Sequence, residues 1–145
     1  MVDDRGHRVL PHTADAVIEA WGSTAAACYA EAVAAFVDVF AIVDADQAKA
    51  GGSTHQSFVI GAGDPPRLLV LLLEEVLGHL DADGLVPIGV EVATRDPGHL
   101  SGTFTMVPLD RVELVGSTPK GVSYDQLELG PRGDGSWRCH AVVDV

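Results

Sequence analysis

Only two stretches of this sequence repeat their apolar residues at helical spacing; almost everything else that is apolar alternates. From Thr24 onward, Ala25, Cys28, Tyr29, Ala32, Val33, Phe36 and Phe40 recur every three or four positions and paint one face of a helix. Thr24 itself can cap the first turn, because its hydroxyl accepts from a backbone N–H that has no partner inside the helix. The second stretch opens on Asp64-Pro65, a capping acid followed by proline at the first helical position. It continues through Leu69, Leu72, Leu73, Val76 and Leu80 and is expected to stop before Asp81-Ala82-Asp83-Gly84.

The remaining apolar segments have the period of two that half-buried strands require. They run from about Ala16 to Trp21 and from Gln56 to Ile60, with His7 to Leu10 as a short leading strand. Val86 to Thr94 and Leu100 to Val107 flank Asp96-Pro97-Gly98, turn chemistry that predicts a hairpin. Gly121 to Leu129 and Trp137 to Val145 flank Pro131-Arg132-Gly133-Asp134-Gly135 and predict a second one. Val43 to Gly52 and Leu109 to Lys120 read as loops. Hairpins with two helices and no βαβ rhythm predict an α+β fold, a mostly antiparallel sheet of about six to seven strands with both helices packed on one face. At 145 residues the chain suits a single domain spanning 1–145 around one core.

Charge narrows the partners. Nine Lys and Arg stand against 21 Asp and Glu, a net charge of −12. Such a surface repels phosphate backbones, so direct nucleic-acid binding is not expected, while divalent cations and basic proteins are drawn toward it. The longest apolar run, Leu68 to Leu73, ends at Glu74-Glu75, far short of the roughly 20 residues that cross a bilayer, and no membrane span is expected. Met-Val-Asp-Asp-Arg-Gly-His has acids where a signal peptide has bases, which points to a cytoplasmic protein. Cys28 and Cys139, the only cysteines, read as reduced core residues.

The residues that carry chemistry are carboxylates. Asp15 stands at the mouth of one strand and Asp144 is the penultimate residue of another. If those ends meet, the two side chains and the α-carboxylate of Val145 offer hard oxygens of the kind Ca²⁺ takes, six to eight in number at about 2.3–2.6 Å. Mg²⁺ suits such a set less well, because it demands octahedral order and keeps its waters. Three carboxylates at one spot repel, and a cation resolves the conflict. The structural readings are a turn residue for Asp15 and a solvated chain end for Asp144. The β-forming Val142, Val143 and Val145 favour an end tied into the sheet.

His12-Thr13-Ala14-Asp15, Trp21-Gly22-Ser23-Thr24, Asp83-Gly84-Leu85-Val86-Pro87, Lys120-Gly121-Val122-Ser123-Tyr124 and Val142-Val143-Asp144-Val145 occur here in that order. The set resembles the archease family over nearly the whole chain. Family members often have an acid where this chain has Pro11 and a histidine where it has Asp125. The resemblance implies a metal, calcium above all, at Asp15 and Asp144 with Val145, and a non-catalytic protein that activates an RtcB-type RNA ligase. Its setting would be tRNA splicing or RNA repair. His12 would be a further ligand or would orient Asp15, against the plainer reading of a hydrogen-bonded structural histidine. Two other readings stay open: a small metal-dependent hydrolase with the metal activating water, and a structural interaction module whose tail only closes the sheet. Arg132-Gly133-Asp134 reads as turn chemistry, and Gly61-Ala62-Gly63 lacks the pattern of a phosphate cradle.

Overall fold

Both capping residues act as their positions suggest: Thr24 Oγ1 accepts from the Ala27 N–H at 3.1 Å, and Asp64 Oδ1 accepts from the Arg67 N–H at 3.1 Å. The computed structural model describes residues 4–10 and 15–145. In chain order these form β1 (Gly6–Leu10), β2 (Asp15–Gly22), α1 (Ala25–Asp38), β3 (Ala41–Ile42), α2 (Ala45–Lys49) and β4 (Thr54–Gly61). They continue through α3 (Pro65–Asp83), β5 (Leu85–Ala93), β6 (His99–Pro108), β7 (Glu113–Leu114), β8 (Gly121–Pro131) and β9 (Trp137–Asp144).

The strands build an antiparallel four-stranded sheet in the order β1-β2-β9-β8, a three-stranded one in the order β4-β6-β5, and a β3-β7 pair. The fold is thus α+β and antiparallel, with more elements than the six or seven strands and two helices expected. The additions are short. β3 and β7 have two residues each and α2 has five, too few to display a period, and they lie in the two segments that read as loops. α3 also runs on to Asp83, because Gly84 at φ 63° supplies the left-handed residue that ends it.

The two long helices bridge the two main sheets. α1 lies on β2 and β5, α3 on β8 and β5, and the Tyr29 hydroxyl donates to the Pro65 carbonyl at 3.3 Å to join them. Phe36, Phe40, Phe104, Leu69, Leu72 and Leu73 are fully buried in one contiguous core. Each contributes about 1.5–3 kcal/mol by leaving water. In β2, Ile18 and Ala20 face that core, as do Cys139, Ala141 and Val143 in β9. Alternation therefore sends Asp15, Glu19 and Trp21, with Arg138, His140 and Asp144, to the face turned away from the helices. Among the described residues no helix is long and apolar enough to cross a membrane.

Candidate metal centre

The four-stranded sheet brings Asp15 and Asp144 together. They are register partners, the first residue of β2 opposite the last of β9, and Asp144 is in turn paired with Gly121, the first residue of β8. Directly opposed residues in an antiparallel pair hold their Cβ atoms about 4.5–5.5 Å apart, and like charges so placed repel. The register is locked from both sides: Val17 pairs with Val142 and Ala16 with Val143, while the Lys120 N–H donates to the Asp144 carbonyl at 2.7 Å.

Asp15 is half-buried and Asp144 is exposed. The Asp144 carboxylate lies over Gly121, with Oδ2 at 3.7 Å from the place a Cβ would occupy there. Among the described residues neither carboxylate joins a salt bridge or a side-chain hydrogen bond. Val145 follows at once, with 38% of its surface exposed. His12, with Pro11, lies outside the described residues. Among those described, no three His, Cys, Asp or Glu side chains gather as a metal cluster. Among the described residues the donors at this sheet end are two side-chain carboxylates and main-chain oxygens, hard ligands of the kind Ca²⁺ takes.

Two residues escaped the sequence reading. Lys120, noticed only as part of a string, is carried to this end of the sheet by its backbone bond to Asp144. His7, assigned no role, stands between two carboxylates of α1, with Nδ1 at 2.7 Å from Glu31 and Nε2 at 2.8 Å from Asp38. Burial works to lower its pKa, but the hydrogen bonds and charges of Glu31 and Asp38 outweigh it, and the net shift is upward from 6.5. Only partner positions far along the chain reveal it. Elsewhere on the outward face Arg8 meets Glu19 at 3.0 Å, and Arg8 and Arg138 stand over the Trp21 ring at 5.2 and 5.9 Å. Asp134 of the Arg-Gly-Asp string accepts from the Ser136 N–H and hydroxyl at 2.9 and 2.6 Å, which is turn chemistry.

A model of the Archease protein family (MTH1598/TM1083) matches residues 7–145. The chain is 36% identical to "Probable protein archease" of Mycobacterium tuberculosis over 140 residues, covering 97% of this chain and 75% of the relative. It is 30% identical to "Protein archease" of Methanosarcina barkeri, covering 96% and 95%. The solution structure of Methanobacterium thermoautotrophicum protein 1598 is similar with a TM-score of 0.75 at 23% identity, covering 97% of this chain and 99% of that one. A Thermotoga maritima crystal structure described as "an archease, possible chaperone" is similar with a TM-score of 0.64 at 16% identity, covering 94% of each. At these identities the two structures speak for the fold.

Proposed function

This chain belongs to the archease family, and from that premise we propose that it is a metal-binding accessory protein of an RtcB-type RNA ligase. In this reading it promotes the ligase's metal-dependent guanylylation and repeated turnover, in tRNA splicing or RNA repair. It works in the cytoplasm and performs no chemical step itself. The observation that carries the reading is the Asp15–Asp144 register pair, two like charges held opposite each other at one strand end with no salt-bridge partner among the described residues. A fold tolerates such a pair most readily when a cation sits at it.

Asp15 and Asp144 would hold the ion, Ca²⁺ by the chemistry of the donors, with main-chain oxygens of Val145 beside them and His12 as a further ligand or an orienting group. When bound, the ion supplies a hard Lewis-acidic centre. The chain's own part is to fix the backbones that carry the two carboxylates on paired strands, so that their Cα atoms stay opposite each other as long as the ladder holds. The net charge of −12 favours a basic protein as partner over RNA itself. The "possible chaperone" wording attached to the Thermotoga maritima relative is also a protein-directed role.

The test is guanylylation of a purified RtcB-type ligase by GTP with the parent protein, Asp15→Ala or Asp144→Ala, each after chelation and after Ca²⁺ is restored. Each variant is expected to stimulate the ligase at least about 10-fold less than the parent, because loss of even an outer partner of a metal ligand costs about 10- to 100-fold. Variants that activate as well as the parent would show that the pair is not the working part. Hydrolysis of phosphoesters by the protein alone, with the ligase indifferent to it, would put the metal-dependent hydrolase in its place.

A further inference from the structure

A sheet edge is a row of backbone N–H and C=O groups that another chain can pair with, and proteins blunt such edges with short strands, charges, proline or bulges. Three of the four edges of the two main sheets are blunted here. β1 has five residues and carries Arg8. β5 contains Pro87 and slips register between Pro87 and Gly89. β8 slips between Ser123 and Glu128, with Gln126 at φ 58°, and ends on Pro131. The fourth edge, β4, is different. Its eight residues, Thr-His-Gln-Ser-Phe-Val-Ile-Gly, include no proline, lysine, arginine or acid, and they pair with β6 from Thr54–Met106 to Gly61–His99 without a slip. Among the described residues nothing pairs with its other side. Val59 is 82% exposed on it.

What would lie there is decided by α3. Val59, Ile60 and Gly61 form one wall of a shallow groove of about 280 Å³, and Leu71, Glu74 and Glu75 form the other. An added strand would aim alternate side chains at that wall. Lysine or arginine fits it, since the aliphatic stem covers Leu71 while the charged head reaches the glutamates. Among the described residues Glu74 has no ion pair, and Glu75 has only His79 at 3.7 Å. A second copy of this chain is the poorer occupant, because β4 against β4 would bring these glutamates together on two molecules of net charge −12.

We infer that β4 is a strand-addition site for an extended basic segment of a partner protein, with lysine or arginine at every second position. Main-chain hydrogen bonds supply the affinity, and Glu74 with Glu75 supplies the preference for basic side chains. The site needs no ion and no ligase, so it stands or falls separately from the carboxylate pair at the end of the other sheet.

The probe is a capped peptide of alternating lysine and valine, as long as β4, added to the full isotope-labelled chain at about 0.15 M ionic strength. Amide exchange should slow along Thr54–Gly61, and Glu74→Lys combined with Glu75→Lys should weaken binding by about tenfold or more. A glutamate-valine peptide should not bind. Neither should a lysine-valine peptide N-methylated at alternate residues, which keeps the charge and cannot form the ladder. Equal binding by the N-methylated peptide would reduce the contact to diffuse electrostatics and overturn the inference. Protection elsewhere on the chain, or concentration-dependent self-association through β4 without peptide, would overturn it as well.

Discussion

Two pairs of carboxylates hang on the four-stranded sheet and its helix, and they are treated in opposite ways. Glu31 and Asp38 of α1 are bridged by His7 from β1, and Arg5 adds a second cation to Glu31. Asp15 and Asp144 are set opposite each other by register, yet among the described residues no basic side chain forms a salt bridge with them. The first pair fastens an edge strand to a helix and serves the fold. The second sets two like charges opposite each other at a strand end, and under the proposed function it is a ligand pair. The difference can be broken open by experiment, because a structural pair loses stability when altered and a ligand pair loses its response to metal.

The largest effect expected is the response to calcium. An ion that binds only the folded state stabilises it by about 2.7 kcal/mol at a hundred times its dissociation constant. Thermal unfolding of the parent should therefore shift upward with Ca²⁺, and Asp15→Asn or Asp144→Asn should flatten the shift. His7→Gln should start from a lower melting temperature and keep the full shift. If the calcium response survives in the aspartate variants or vanishes in His7→Gln, the roles of the two pairs have been exchanged.

His7 comes next. Hydrogen bonds to charged groups are worth about 1.5–3 kcal/mol, reduced here by the partial exposure of Asp38, so His7→Gln should cost about 1–2 kcal/mol. The pKa of His7 is raised on folding, its burial opposing and the two carboxylates prevailing. Its stabilisation is thus fully present below the unfolded value of about 6.5 and is lost as pH rises through the higher folded value. Urea unfolding of parent and variant across that range should give a difference that shrinks with rising pH. A difference that grew would mean that the neutral imidazole is the form the carboxylates favour.

What could be read from the sequence follows the same division. Asp15 was legible because it opens an alternating segment, and Asp144 because it closes one; a strand end is a position that period and turn chemistry can locate. That they would be opposite each other follows only from the order β1-β2-β9-β8, which no local pattern encodes. His7 was illegible for that reason: Glu31 and Asp38 lie 24 and 31 positions away, on a helix whose polar face looks like any solvated one. The helices announced themselves through Thr24 and Asp64, since a cap and an amphipathic period are local. α2 and the β3-β7 pair did not, being shorter than the periods that would betray them. Two sheets in place of one were hidden likewise, because strands of both kinds alternate identically.

The smallest effect is the most direct measure of the repulsion itself. With calcium chelated, Asp144→Asn removes one of two opposed charges while keeping the side chain's shape and one of its two acceptor oxygens, so the variant should be more stable than the parent, by roughly 0.2–1 kcal/mol. Because Asp144 is exposed, the lower part of that range applies. Salt gives the signature. Screening shortens from about 10 Å at 0.1 M to about 3 Å at 1 M, comparable with the separation of paired side chains, so the parent should gain more from added salt and the gap should close. Screening depends on ionic strength alone, so sodium and potassium chloride should give the same result. The same substitution at Asp38 should destabilise instead, because it takes a carboxylate from His7. Should Asp144→Asn also destabilise the chelated protein, some group is already paired with Asp144, and the strand end is a structural contact like the one at His7.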